Sequence, residues 1–282
     1  MFFLPLFDDN PPGRRPIVNW LIIAACVLVF LYQMTLPVYG HNVFMLEYGA
    51  LPLLISHGEN TAALVTSAFL HGGWLHLGGN MLYLWIFGDN VEDRMGPFRF
   101  LLFYTLCAVV ATLSHVAIDP GSTTPLVGAS GAIAGVLAAY LILFPRAKVR
   151  VLIIIIVFLR WIYIPAFVVL LGWLLMQVLA APFSISSQGG VAYFAHIGGF
   201  VAGLVLTPLL ARRKPAGDII AAPGMDNVTR EAEDHSIRTA STRQVRNEFA
   251  QRYRYRKRTT GVPNVKRRGQ SPGDDPPKGS LE

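Results

Sequence analysis

A serine and a histidine in apolar stretches of this chain could together carry out nucleophilic catalysis. Ser130 lies in the run GASG (128–131), and His196 lies in the run AHIGG (195–199). A serine hydroxyl becomes an effective nucleophile when a neutral histidine accepts its proton, and no third residue is required. We find no Asp or Glu at a matching depth, so the pattern predicts a Ser130/His196 dyad.

Two further polar residues could stabilise the negative charge that such a reaction develops. His76 and Asn80 are four residues apart, so both project from one face of a helix. Together with the backbone N–H of Ser130 they would donate hydrogen bonds to an oxyanion. Water must reach the acyl-enzyme, so the predicted site opens to the aqueous phase.

The composition indicates an integral membrane protein. Of the 282 residues 53 % are hydrophobic and only 15 % are charged, which is typical of a chain that crosses a bilayer several times. Stretches of about 20 apolar residues are long enough to cross the hydrocarbon core. We place six of them, all helical, because lipid-exposed backbone must be satisfied within its own segment. The predicted spans are 17–36, 75–91, 98–118, 125–144, 161–181 and 190–210.

The predicted fold class is therefore an all-α polytopic bundle of six transmembrane helices. We expect a cytoplasmic N-terminal segment (1–16), a membrane domain (17–211) and a basic, disordered cytoplasmic tail (212–282). The segment 151–160 is ambiguous, since it could extend the fifth helix or lie at the interface.

The basic residues predict the orientation. Arg and Lys occur in alternate loops and are absent from the three others, so both termini are predicted to be cytoplasmic. In this orientation Ser130 lies about five residues inside the outer end of the fourth span, and His196 lies similarly inside the sixth. At about 1.5 Å per residue, these two residues, His76 and Asn80 share one depth, roughly 5 to 10 Å below the outer boundary.

Glycines predict which helices approach each other. Gly131 and Gly135 in the fourth span and Gly199 and Gly203 in the sixth recur every four positions, a spacing that lets membrane helices pack closely. Such a crossing would bring the Ser130 hydroxyl near the His196 ring.

The tail holds two thirds of the Lys and Arg residues. We expect it to be solvated or to lie against anionic lipid, and we expect no nucleic-acid partner. The histidines show no metal-ligand spacing, so no metal and no cofactor are predicted.

Three runs resemble the signature motifs of the rhomboid intramembrane serine proteases: HGGWLHLGGN (71–80), GASG (128–131) and AHIGG (195–199). The resemblance covers residues 10 to about 213. It implies that Ser130 is the nucleophile, that His196 is the base and that His76 and Asn80 are oxyanion donors. It also implies that Gly128 and Gly131 shape the turn around Ser130, and that Glu92 fixes the cytoplasmic end of the second span.

The family further implies a membrane-embedded hairpin at 37–74 and a gate formed by the fifth span and the loop 182–190. The sequence departs from some members in two places. The external loop has no Trp-Arg pair, and Ala134 stands where some members carry a tyrosine that stacks on the catalytic histidine. The second departure leaves open what orients the His196 ring.

Two functional classes are compatible with these features. The first is an intramembrane serine endopeptidase that cleaves transmembrane segments of membrane-protein substrates near the outer face. The second is a catalytically silent rhomboid-like protein that binds client helices, but such a protein would be expected to lack Ser130 or His196. We expect the enzyme, in a prokaryotic plasma membrane.

Overall fold

The computed structural model describes residues 2–155, 158–184 and 192–212. These fall in the first of two units of the chain, Met1–Lys214. Apart from Arg212, the predicted tail lies outside the described residues, as does most of the expected gate loop 182–190.

The described chain is mostly helical. The helices, in chain order, are α1 (Ile17–Thr35), α2 (Val38–Tyr48), α3 (Pro52–Ser56), α4 (Ala63–Thr66), α5 (Trp74–Tyr83), α6 (Asp89–Met95), α7 (Pro97–Ile118), α8 (Ser130–Leu143), α9 (Ala166–Ser184) and α10 (Tyr193–Leu210). Within the described residues α1, α7, α9 and α10 are long and apolar enough to cross a membrane, and α8 is a shorter apolar helix. The segment expected to form a hairpin, 37–74, contains α2 to α4 and a 3₁₀ turn, Ser67–Phe69.

A three-stranded antiparallel sheet corrects the all-helical prediction. Strand β1 (Phe2–Asp8) pairs with β2 (Lys148–Ile155), which pairs with β3 (Phe158–Pro165). Residues 148–165 are rich in β-branched and aromatic side chains, which favour strands, and the N-terminal segment provides a pairing partner. Residues 151–155 and 158–160 are therefore strand rather than a helical extension, and α9 begins after Pro165 rather than at Trp161.

Glu92 joins the second hydrophobic segment to the start of the first helix. Its buried carboxylate accepts hydrogen bonds from the backbone N–H groups of Val18 (3.1 Å) and Asn19 (2.7 Å). A carboxylate at a helix N-terminus pairs with N–H groups that have no intrahelical acceptor. Between α5 and α6 the helix widens into a π-helical turn, Leu84–Gly88, where Asn19 Nδ2 donates to the Leu84 carbonyl (2.9 Å). These contacts hold α1 against the continuous α5–α6 segment, from which His76 and Asn80 project.

The N-terminal strand is attached to the helices through Asp8. Oδ2 of Asp8 accepts hydrogen bonds from the Tyr140 hydroxyl and from Asn90 Nδ2. Burial raises the pKa of Asp8 to about 6, although the Tyr140 hydrogen bond opposes the shift. Since the folded protein holds this proton more tightly than an unfolded chain does, Asp8 stabilises the strand most at low pH. This stabilisation is lost as the pH rises towards 6.

We expect the backbone amides of β1 to be better protected from hydrogen exchange at pH 4.5 than at pH 7.5, after correction for intrinsic rates. Asp8→Asn, which does not titrate, should show a smaller difference between the two pH values than the wild type. The remaining difference is expected from the neighbouring Asp89 carboxylate, which also accepts a hydrogen bond from Asn90. Exchange measured by mass spectrometry on the N-terminal peptide tests this. Equal protection in the wild type, or a difference in Asp8→Asn as large as in the wild type, would contradict the role of Asp8.

Candidate active site

Ser130 and His196 meet at the N-terminal ends of two packed helices. Ser130 is the first residue of α8, and His196 lies in the first turn of α10. The Ser130 hydroxyl lies 2.7 Å from Nε2 of His196, a hydrogen-bonding distance. His196 itself is buried, with 8 % of its surface exposed.

The helix that carries Ser130 begins later than the apolar stretch predicts. The sequence places a helical span at 125–144, with Ser130 about five residues inside it, but 125–129 is not helical. Leu126 exchanges backbone hydrogen bonds with Ala50, and Gly128 N–H donates to the Ser67 carbonyl (2.9 Å). Gly128 has a φ of +119°, which residues with a Cβ rarely adopt. These contacts hold 125–128 outside the helix and place Ser130 at its start.

The late start of α8 exposes a backbone donor. The first helical hydrogen bond here runs from Ile133 N–H to the Ala129 carbonyl (2.9 Å). The N–H of Ser130 therefore has no acceptor within its own helix. It also lies at the positive end of the α8 dipole.

His76 faces Gly128 with a nitrogen that carries a proton. Its Nδ1 accepts a hydrogen bond from Gly72 N–H (3.3 Å), so in the neutral ring the proton is on Nε2. A Cβ added to Gly128 would lie 2.6 Å from this Nε2. Only glycine fits at 128, both in backbone conformation and in the space beside the ring.

Asn80 contributes a second side-chain donor next to His76. Its Nδ2 is buried and has no hydrogen-bond partner in the part of the chain that the structure describes. The same Cβ position on Gly128 lies 3.6 Å from Nδ2. A buried amide donor without a partner is costly, and an oxyanion in the adjacent space would satisfy it.

A cavity of about 620 Å³ connects these groups. Ser130, His196, His76 and Asn80 all border it. Its remaining walls are mostly apolar, and they are formed by α5, the 125–127 segment, the buried face of α8 and α9. The lining residues outside the four polar ones include Leu75, Tyr83, Pro125, Leu126, Val127, Ile133, Leu137 and Trp173.

Glycines bring α8 and α10 close enough for the serine and histidine to meet. A Cβ on Gly199 would overlap the Gly131 carbonyl, and a Cβ on Gly203 would overlap the Gly135 carbonyl. Gly131 itself faces Ala111 of α7, where an added Cβ would lie 2.6 Å from the alanine Cβ. The backbones of α8 and α10 are therefore in contact at the level of the site.

Comparison with known proteins identifies the family of this chain. The family model described as Rhomboid domain matches residues 59–213, more than half of the chain. The chain belongs to the rhomboid family.

Relatives of this rhomboid occur in bacteria and in organelles. Rhomboid protein 1, mitochondrial, of Saccharomyces cerevisiae is 31 % identical over 151 residues, which cover 51 % of this chain and 40 % of the yeast protein. Rhomboid-like protein 11, chloroplastic, of Arabidopsis thaliana is 28 % identical over 217 residues, covering 73 % and 69 % of the two chains. Rhomboid protease GluP of Bacillus subtilis is 34 % identical over 128 residues, covering 45 % and 24 %. The matched region spans less than half of the yeast and Bacillus proteins.

The contacts around His196 include two residues of this rhomboid that the sequence reasoning missed. Nδ1 of His196 lies 2.8 Å from Oε1 of Gln177, and the Trp173 ring lies 5.7 Å from the imidazole. Both residues are on α9. A signal was present in the sequence, since Gln177 is the only amide side chain in the predicted span 161–181, and polar residues inside spans are functional candidates.

His71, the first residue of the run HGGWLHLGGN (71–80), is close to the site but is held inside the protein. The residue is fully buried, and its backbone N–H and carbonyl pair with the side-chain amide of Gln33 (3.2 and 3.1 Å). Its ring lies 5.2 Å from that of His76. His71 therefore shapes the segment before α5 from inside the protein.

We expect Gly199→Ala to lower the thermal unfolding temperature of this rhomboid, because the added methyl forces α10 away from the Gly131 carbonyl. Overpacking of this kind costs about 1–3 kcal/mol. The matched control is Gly172→Ala on α9, where an added Cβ meets nothing within 4 Å. Thermal unfolding in detergent compares the two. If both variants unfolded at the wild-type temperature, the α8/α10 contact would not be the tight one described.

Proposed function

We propose that the protein is an intramembrane serine endopeptidase that uses a Ser130/His196 dyad. The hydrogen bond between the Ser130 hydroxyl and His196 Nε2 carries this proposal. Membership in a family with relatives named as proteases supports it. The cavity beside the dyad supports it as well, because a substrate peptide needs access to the hydroxyl.

In the proposed reaction His196 Nε2 takes the proton of the Ser130 hydroxyl as the oxygen attacks a peptide carbonyl. The tetrahedral intermediate collapses when the C–N bond breaks and His196 returns the proton to the leaving amine. Water then attacks the acyl-enzyme, again with His196 as base, and releases the new carboxylate. Ser130 recovers its proton, so the protein is unchanged after one turnover.

The proposed oxyanion donors are the Ser130 N–H, Nε2–H of His76 and Nδ2 of Asn80. Within the described residues, none of the three donates a hydrogen bond to another group. The Ser130 N–H is at a helix start, the proton of His76 is fixed on Nε2 by the Gly72 hydrogen bond, and Nδ2 of Asn80 is unpartnered. Donors in place before the reaction stabilise the transition state without reorganisation.

We further propose six membrane crossings with both termini cytoplasmic. The second crossing would be the continuous α5–α6 segment and the fourth would be α8, alongside the four long helices. The distribution of basic residues among the loops supports this orientation. In this proposed orientation the dyad lies nearer the outer face.

The proposed substrates are membrane proteins with a transmembrane segment that unwinds at the cavity. A helical substrate has its carbonyls hydrogen-bonded within the helix, so attack by Ser130 requires a locally unwound peptide.

We also propose that the basic tail lies against anionic lipid. Bacterial, mitochondrial and chloroplastic relatives all match, so the prokaryotic plasma membrane stays a prediction.

The dyad is tested by cleavage of a single-span substrate in liposomes and by labelling with a serine-directed fluorophosphonate. We expect Ser130→Ala and His196→Ala each to lower the cleavage rate by about a thousandfold or more, since nucleophile and base act as a unit. The matched control is Ser114→Ala, because among the residues that the structure describes the Ser114 hydroxyl bonds to its own helix, at the Val110 carbonyl. Cleavage that survives Ser130→Ala, or a wild type that neither cleaves nor labels across several substrates and lipids, would refute the endopeptidase proposal.

The oxyanion donors are tested with kcat and KM measured separately. Asn80→Ala and His76→Ala should each lower kcat by about 10²- to 10³-fold with little change in KM, because the charge appears only in the transition state. Gly78→Ala is the control, since Gly78 is on the same helix, is not among the residues that line the cavity, and an added Cβ there meets nothing within 4 Å. A loss confined to KM would assign these residues to substrate binding instead.

A further inference from the structure

We propose that Gln177 is a positioning residue that holds the His196 ring in the tautomer able to accept the Ser130 proton. This inference rests on the proposed dyad. It identifies a third residue in the proton-transfer machinery, and that residue is a neutral amide on α9 rather than a carboxylate.

The orientation of the Gln177 amide is fixed by its own helix. Nε2 of Gln177 lies 3.3 Å from the backbone carbonyl of Trp173, one helical turn earlier. A carbonyl oxygen only accepts hydrogen bonds, so the NH₂ group must face it. Oε1 therefore points to the other side, where it lies 2.8 Å from Nδ1 of His196.

This amide orientation determines the tautomer of His196. An amide oxygen is only an acceptor, so Nδ1 of His196 must carry the proton that it donates to Oε1. In the neutral ring Nε2 is then unprotonated, and it is this nitrogen that lies 2.7 Å from the Ser130 hydroxyl. The three hydrogen bonds therefore run in one direction. Ser130 donates to Nε2 of His196, Nδ1–H of His196 donates to Oε1 of Gln177, and Nε2 of Gln177 donates to the Trp173 carbonyl.

Aromatic rings hold the plane of the imidazole. The Trp173 ring lies 5.7 Å from the His196 ring at 37°, and the Tyr193 ring lies 6.5 Å away at 86°. Residue 134 is a buried alanine and contributes no ring. Gln177 and Trp173, one turn apart on α9, therefore provide the orientation that position 134 cannot.

Because Gln177 is buried, loss of its hydrogen bond to His196 would be unfavourable. Only 8 % of the Gln177 surface is exposed, in a helix apolar enough to cross a membrane. A buried amide there is unfavourable unless both its ends have partners. In Gln177 both ends do, and removal of the acceptor would leave Nδ1–H of His196 unsatisfied or allow the ring to change tautomer.

The test compares three variants of the full-length protein in the cleavage assay. Gln177→Met keeps the volume but has no comparable acceptor, and we expect kcat to fall about 10- to 100-fold with KM unchanged. Gln177→Glu keeps an acceptor oxygen for Nδ1–H in either protonation state and should restore kcat to within a few fold of wild type. Met176→Ala, at the neighbouring position that is 69 % exposed, is the control. The proposal is overturned if Gln177→Met keeps its kcat, or if Gln177→Glu fails to restore it while remaining folded.

A second readout does not depend on activity. In protein labelled with ¹⁵N at its seven histidines, the ring-nitrogen shifts of His196, identified by their loss in His196→Ala, report which nitrogen carries the proton. We expect protonated Nδ1 and unprotonated Nε2 in the wild type, and a mixture of tautomers in Gln177→Met. A wild-type ring protonated at Nε2 would overturn the positioning role. If the expected tautomer were found in a protein that cleaves nothing, the endopeptidase proposal would fail while the role of Gln177 stood.

Discussion

The contact between the backbones of α8 and α10 is the constraint on which the site depends. Hydrogen bonding between Ser130 and His196 requires their helices to approach more closely than side chains usually allow. Glycine at 131, 135, 199 and 203 removes the side chains at the crossing, so the Gly131 and Gly135 carbonyls of α8 lie against Gly199 and Gly203 of α10. In an apolar medium such packing gains van der Waals contact at the crossing. A single methyl at Gly199 would act directly on the distance between Ser130 and His196.

A second regularity is that three of the four polar residues of the site lie at helix beginnings. Ser130 starts α8, His196 lies in the first turn of α10 and His76 lies in the first turn of α5. Free N–H groups and the positive ends of helix dipoles are found at these positions. Three helices that begin at one cavity provide a region suited to negative charge without any cationic side chain, which would be costly to bury. For α8 to start at Ser130, residues 125–129 must stay outside the helix, as they do here.

Prediction from the sequence selected polar residues that the structure brings together, and it failed where contacts between distant parts of the sequence decide the local structure. Ser130, His196, His76 and Asn80 could be found because polar residues in apolar stretches are expensive, and the spacing of the glycines indicated the crossing. The start of α8 could not be found, since it depends on contacts of the 126–128 segment with Ala50 and Ser67. The sheet was missed for a similar reason: β2 is apolar enough to resemble a span, and its partner β1 is far from it in the sequence, at the start of the described chain. Gln177 was overlooked because a lone amide in a helix can also bond to its own backbone, which one end of it does.

The position of Gln177 on α9 has a consequence for how the cavity and the dyad are related. Trp173 lines the cavity and contacts the His196 ring, while Gln177 holds Nδ1 of the same ring. Both residues therefore move with α9. An outward displacement of this helix that widened the cavity would lengthen the Gln177 hydrogen bond and withdraw the ring contact together. The atoms nearest to the crossing glycines belong to α7, α8 and α10, so a displaced α9 would leave Ser130 and His196 close together and would change the orientation of the ring. In the proposed mechanism there are thus two requirements: proximity, which depends on the glycines of α8 and α10, and the tautomer of His196, which depends on α9 and therefore on the width of the cavity.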